Sequence, residues 1–391
     1  MRYDYCELVE LHIPVACIKS HTMGKKLPVW AWSKVPQQSI QEAVSKNTTI
    51  EVHGVYPTVS PENFTRYKEH ASISFTPTSR KRFNYIRPTF SWVNRGSTLI
   101  VQVTPGRDYL YHYAGIIRYC LHQYHRTSLL TVYRYPEIER TLDVWTTLDE
   151  SLISQDSVVI IGYVEEAEAY LITQRNQFLF ITKEENRYYT AVQYRTYSGQ
   201  LIIFLGVKYS FWGDISAIIA SKLCKLCAKE IIYISKLGSL RTPDDVYNAV
   251  FAPTNYITMN YCDVISITRS TNSIASIFPE LDTQCHASVP TVIEEDLRQR
   301  AVLVNHSVSS IDNEISQIAN AVANFNKTHK KKVCFSSLHF ASDYLRKDTE
   351  VNHDIAYDLS NHRSADAVKR RANVMKVLLS YLHRYIQNTY L

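Results

Sequence analysis

Short apolar runs punctuate the chain. The plainest are TLIVQV (98–103), SVVIIGY (157–163), Leu201–Leu205 and IIYISKLGSL (231–240). Runs of this length, bounded by turn residues, predict strands buried on both faces. Weaker strand patterns lie at Ile50–Tyr56, Ala71–Phe75, SLLTVYRY (128–135), Phe178–Thr182, Tyr188–Tyr194, Val246–Ala252 and VCFSSLHF (333–340). Apolar positions at helical spacing fill LYHYAGIIRYCLHQYH after Asp108, then 214–229, 312–326 and about 364–390. In the last helix the stripe is Val368, Val374, Val377, Leu378, Leu382 and Ile386. The segment 135–152 reads as a helix and then a connector, and 255–300 has no clear period. Strand, tight turn, helix, strand over 98–135 is a βαβ unit. In its turn, Pro105-Gly106-Arg107-Asp108, Asp108 suits a helix N-cap or a ligand contact. Alternation of strands and helices predicts an α/β fold with a largely parallel sheet.

Composition narrows the class. The 391 residues are 45% hydrophobic and 20% charged, ordinary globular values that exclude a disordered chain, a collagen and a coiled coil. Length predicts two or three domains; the change of pattern near residue 150 predicts an N-terminal α/β domain over 1–150 and a second over 151–391. No window of 18 apolar residues predicts a membrane span. The N-terminus carries acids among its apolar residues, unlike a secretory signal, so a cytoplasmic protein is expected. Glycine is scarce, 10 residues against a usual ~7%, and tyrosine is abundant, at 28. A net charge of +6 permits anionic ligands without arguing for nucleic acid. The runs KKK (330–332) and KRR (369–371) read as solvated faces.

Eight cysteines give no disulfide framework in such a chain. Cys224-Lys-Leu-Cys227 falls inside a helical pattern, where packing is the reading; no second CxxC or HxxxH completes a zinc site. No metal and no cofactor is expected.

Two acids stand at element ends. Glu314 opens helix 312–326, with Ser309 or Ser310 as its cap and Asp312 favouring its N-terminus. Asp343 follows the strand VCFSSLHF, where α/β sites are built, and would also serve as an N-cap.

From residue 155 on, the order of elements resembles the purine nucleoside phosphorylase / nucleosidase superfamily. SVVIIGYVEEAEAY is similar to that family's opening strand and glycine turn, with Gly162 on the glycine. LIIFLGVKYSFWGDISAIIASKLCKLCAKEIIYISKLGSLRTPDDV is similar to its central stretch, with Gly206, Gly238, Ser239 and Asp245-Val246 on matching places. SSIDNEISQIANAVANFN resembles its "VDMEAAAIA" helix, and VCFSSLHFASDYLR its "SD" strand end.

The resemblance implies a mixed, partly barrel-like sheet flanked by helices, preceded here by the smaller α/β domain. It implies cleavage of an N-ribosidic bond in a small-molecule nucleoside or nucleotide, by a homo-oligomer. Glu314 would hold the ribose hydroxyls, and Asp343 would protonate the departing base. Gly206, Gly238, Ser239 and Gly162 would shape the substrate site. Phe211, Trp212 and Tyr209 are candidates to stack on the base. The chain departs from the pattern where phosphorylases bind phosphate: Glu165, Glu166 and Glu168 follow Gly162, Ser235-Lys236 replaces a glycine–threonine pair, and Asn313 replaces a methionine. Hydrolysis is therefore expected over phosphorolysis, with Lys236 meeting a nucleotide's phosphate or solvent. The alternative is an inactive nucleotide-binding or protein-interaction module of the same fold.

Overall fold

The computed structural model describes residues 6–11, 18–57, 70–73, 83–84, 86–140, 147–173, 178–351 and 364–391. Two sheets organise them. The first contains β1 (Glu7–Leu8), β2 (Thr49–Gly54), β3 (His70–Ile73), β4 (Thr89–Val93), β5 (Thr98–Val103) and β6 (Leu130–Arg134), in the order β1-β6-β2-β5-β4-β3. Strands β6, β2 and β5 run parallel. With it come α1 (Leu27–Trp32), α2 (Gln37–Ser45), α3 (Arg107–His122) and the short α4 (Pro136–Arg140).

The second sheet has eleven strands: β7 (Ser157–Gly162), β8 (Phe178–Glu185), β9 (Tyr189–Thr196), β10 (Leu201–Val207), β11 (Glu230–Ser239), β12 (Val250–Phe251), β13 (Asn255–Asn260), β14 (Asp263–Arg269), β15 (Cys285–Ser288), β16 (Val308–Asp312) and β17 (Cys334–Tyr344). Around it lie α5 (Val164–Thr173), α6 (Asp214–Lys225), α7 (Ser273–Ile277), α8 (Leu297–Asn305), α9 (Ile315–Thr328) and α10 (Ala365–Tyr390). Its order is β14-β13-β15-β16-β11-β7-β10-β9-β8, with β17 on β11 and β12.

This is a mixed α/β fold. The sheet is not largely parallel: β8–β9, β9–β10, β11–β16, β12–β17 and β13–β14 are antiparallel.

Alternation decides how β7 and β11 are buried. In β7, Val158 and Ile160 enter one core, and Val159 and Ile161 the other. In β11, Ile231 and Tyr233 take the second core, and Ile232 and Ile234 the first. Successive side chains point to opposite faces, so a continuous apolar run suits a strand covered on both sides. The core holding Val159 also holds Val101 and Val103 of the first sheet, so one apolar layer joins the two sheets.

Several expectations need correction. Between 135 and 152 the described residues form a helix only over Pro136–Arg140; residues 141–146 lie outside the description. Ser74 and Phe75, and most of the basic stretch 76–87, lie outside it too. Val246–Ala252 is a turn followed by the two-residue β12. On α10 the buried stripe runs through Ala367, Val374, Leu378, Leu382 and Ile386, while Val368 and Val377 are exposed. Cys224 is buried in α6, its thiol pushed up to about 12 by burial and then by Cys227, which suits packing rather than redox work.

Candidate active site

The site begins as a gap in a ladder. Strand β11 pairs with β7 as far as Ile234↔Gly162 and with β16 from Gly238↔Ile311. Ser235, Lys236 and Leu237 lie between and have no paired strand on that edge among the described residues. The opposite edge stays paired with β17, with a bulge between Leu237 and Gly238. Gly162 is required there: its φ is +97°, and a Cβ would stand 1.9 Å from the Ile234 carbonyl oxygen. Tyr163 N donates to that same oxygen at 2.8 Å. This turn therefore spends the amide after the glycine on the sheet and does not present it to an anion.

Four of the expected residues meet at the gap. Gly162 and Lys236 are exposed, and Glu314 and Asp343 are half-buried. The charge of Lys236 responds to both Asp343 and Glu314, as well as to Arg371. Crowding by protein lowers its pKa although its side chain reaches water. Gly238 makes room for the acid: a Cβ there would lie 2.9 Å from Asp343 Oδ2.

Glu314 precedes α9 and Asp343 lies inside β17, so neither is where the pattern set it. The expected helix start at 312 is the end of β16, whose Ser309 and Ser310 are strand residues, not caps. Ser309 donates to the Cys285 carbonyl, and Ser310 meets His286 Nδ1 at 2.9 Å. Asp312 caps α9 instead, accepting from Ile315 N at 3.1 and 3.0 Å. It also accepts from His286 Nε2 at 2.8 Å and Ser288 Oγ at 2.6 Å. Burial opposes its charge, but His286 and these bonds outweigh that and lower its pKa. Beside it, Glu314 is pushed well above the usual carboxylate range, by burial first and then by Asp312.

Four expected residues lie elsewhere. Ser239 is sealed: its hydroxyl donates to Asp245 at 2.5 Å, and Asp245 is gripped by Arg241 at 2.7 Å. Gly206 is covered by the Phe83 ring, which stands where a Cβ would be. Trp212 stacks on His112 of α3 at 4.2 Å and donates to the Pro290 carbonyl at 2.9 Å, between the two sheets. Tyr209 packs against Tyr56 at 4.6 Å. Phe211 packs 5.5 Å from the Tyr233 ring of β11.

The structure adds residues that the pattern missed. Arg371 of α10 lies 5.3 Å over the Tyr163 ring, and its charge acts on Lys236. It falls at i+4 from Ala367 and i−3 from Val374, on the helix's buried stripe; that spacing could have separated it from its run KRR. Neither Lys236 nor Arg371 makes an ion pair among the described residues. Glu295, 6% exposed, stands near Asp343 and is pushed well above the usual carboxylate range, by burial first and then by Asp343. Glu168 turns away to accept from Tyr194 at 3.0 Å.

Among the described residues no group of three His, Cys, Asp or Glu could hold a metal ion, and no helix is long and apolar enough to cross a membrane. A separate cleft of about 560 Å³ opens between Arg134, Glu139, Asp214 and Lys225. It shares no residue with the gap.

No family model matches the sequence. Over 381 residues the chain is 26% identical to oxidoreductase cns1 of Cordyceps militaris, covering 91% of this chain and 47% of that protein. It thus spans about half the length of this curated relative. Among solved structures, 5′-methylthioadenosine nucleosidase of Arabidopsis thaliana is similar with a TM-score of 0.43 at 10% identity, covering 60% of this chain and 96% of that one. Futalosine hydrolase of Helicobacter pylori gives 0.43 at 13% identity, over 60% and 99%. Purine nucleoside phosphorylase of Toxoplasma gondii gives 0.41 at 16%, over 61% and 94%.

Proposed function

We propose that the chain cleaves the N-ribosidic bond of a purine nucleoside or nucleotide, with water as nucleophile. The observation that carries this reading is the convergence of Glu314, Lys236 and Asp343 where β11 has lost its neighbour. Breaking the bond puts positive charge on the sugar and negative charge on the departing base. An oxygen-rich group beside the sugar and an acid beside the base lower the barrier together. Asp343 gives its proton to the base nitrogen as the C1′–N bond opens. Water adds to C1′, and the proton it sheds restores the acid. Glu314 receives the ribose hydroxyls, and Phe211 offers a face beside the base. In this reading residues 151–391 form the catalytic unit of a cytoplasmic homo-oligomer, and residues 1–150 an attached α/β domain.

The test is release of free base, followed by chromatography, from a panel of nucleosides and nucleotides with and without phosphate. Release without phosphate, reduced ~10²–10⁴-fold in Asp343→Asn, supports the reading. Absence of release from the whole panel overturns it and favours the inactive binding module.

A second reading has its own observation. The charges of Lys236 and Arg371 act on each other, neither makes an ion pair among the described residues, and like charges held near one another favour an anion. That anion is a substrate's phosphate ester or a phosphate nucleophile. Lys236→Ala should raise KM for a nucleotide about tenfold and leave a nucleoside nearly unchanged; release only with phosphate would instead assign phosphorolysis.

A further inference from the structure

We propose that His286 and Asp312 are positioning residues for Glu314: the buried pair fixes where Glu314 stands and which of its two charge states the free site holds. This rests on the reading of Glu314 as the sugar-binding acid.

The geometry is a chain of contacts running from the interior to the cleft. His286, on β15, is completely buried. Its Nδ1 meets Ser310 Oγ at 2.9 Å, and its Nε2 meets Asp312 Oδ1 at 2.8 Å. Asp312 Oδ1 also accepts from Ser288 Oγ at 2.6 Å, and Ser288 Oγ in turn accepts from Ser316 N at 2.8 Å. Both Asp312 oxygens take the amide of Ile315. The carboxylate therefore has no freedom to turn. Glu314 lies between this cap and the first helical residue, so its backbone is held from both sides. Asn313 Nδ2 donates to the Val289 carbonyl at 2.6 Å, which anchors the remaining residue of the turn.

A fixed negative charge this close disfavours a second one. The groups facing Glu314 are Asp312, Lys236, Tyr163 and Tyr233. Lys236 favours the ionised form, Asp312 opposes it, and burial also opposes it. Arg371 lies behind Tyr163 and Lys236. His339 is buried within reach of Asp312 and His286. Asp312 is thus the group whose removal should most change the charge state of Glu314. In this proposal the free site presents Glu314 as a neutral acid. Lys236 then stands as the nearest cation that can draw the charge out when a ligand displaces water.

The experiment reads the ligand-free protein. Infrared difference spectra across a pH titration should show the carbonyl stretch of a protonated carboxylic acid that Glu314→Gln deletes. In Asp312→Asn, which keeps a helix-capping oxygen, that stretch should disappear at a pH lower by about 1 unit or more. His286→Gln is the second variant, for use if Asp312→Asn does not fold. It keeps a donor to Asp312 without the imidazole, lets Asp312 compete for the proton, and should weaken the Glu314 stretch at neutral pH. A purely structural role would lower the melting temperature and leave the titration unmoved. That result, or a wild-type spectrum without the Glu314 stretch, overturns the proposal. Base release is measured separately, so an inactive wild type with a shifted stretch would sink the hydrolase reading and keep this one.

Discussion

Two pairs of acids among the described residues are used in opposite ways. At the joint between the sheets, Asp108 at the start of α3 and Asp214 at the start of α6 cap each other's helices. Asp214 accepts from Arg107 N at 2.9 Å and Asp108 N at 3.1 Å. Asp108 accepts from Asp214 N at 3.1 Å and from Arg107 Nε at 2.9 Å. All four carboxylate oxygens are occupied, so this is structure alone. At the ladder gap, Asp312 is equally occupied, but Glu314 is only half-buried and its charge acts on the exposed Lys236. The difference lies in what is left over. A carboxyl pair whose hydrogen bonds close on themselves holds the fold, and a pair with a spare oxygen turned to solvent can meet a substrate.

The largest effect that would sharpen this contrast is Glu314→Gln. Base release should fall ~10²–10⁴-fold while the melting temperature holds or rises, because a carboxyl in an unfavourable place has been removed. A variant that loses stability and keeps its activity would break the contrast.

Next in size, Asp108→Ala should cost about 1–2 kcal/mol in chemical denaturation, because the α6 N-terminus loses its cap, with base release unchanged. The joint should also respond to pH. Burial, and then Asp108, push Asp214 up to about 6. An acid that holds its proton more tightly folded than unfolded gives its full contribution below ~pH 4. That contribution is lost as pH rises toward 6, so denaturation midpoints should fall across this window in the wild type and less so in Asp214→Asn. The smallest effect should come from Arg107→Ala. Its side chain is 62% exposed, and the ion pair with Asp108 should contribute under about 1 kcal/mol. A larger loss would mean that the pair, not the caps, holds the joint.

Strands buried on both faces were the legible part of the fold, and the reason is physical. TLIVQV coincides with β5, and β7 differs from its apolar run by one residue. Such strands have no polar face to confuse the pattern. β16 was hidden because VSSID places two serines and an acid at buried positions, where His286, Cys285 and Ile315 satisfy them. Only tertiary partners make those residues acceptable inside, and the sequence does not show partners. Asp108 misled for a related reason: the helix it caps lies 106 residues away. At the site, Glu314 and Asp343 are legible as acids near element ends, with roles implied only by resemblance, while Gly162 occupies a turn whose amide is committed elsewhere. His286 and Arg371 were unreadable as site residues, one being a lone histidine and the other masked by its charged neighbours.

The apolar layer shared by the two sheets has a consequence for synthesis. The first sheet leaves the ribosome with Val101, Val103, Ile116 and Ile117 complete but without Ile203, Ile215, Ile219 and Leu223, which cover the same core. At ~5–20 residues per second the wait lasts seconds. During that interval the part of this core that the later residues cover stays open to water, which makes the stretch a natural client for a holding chaperone.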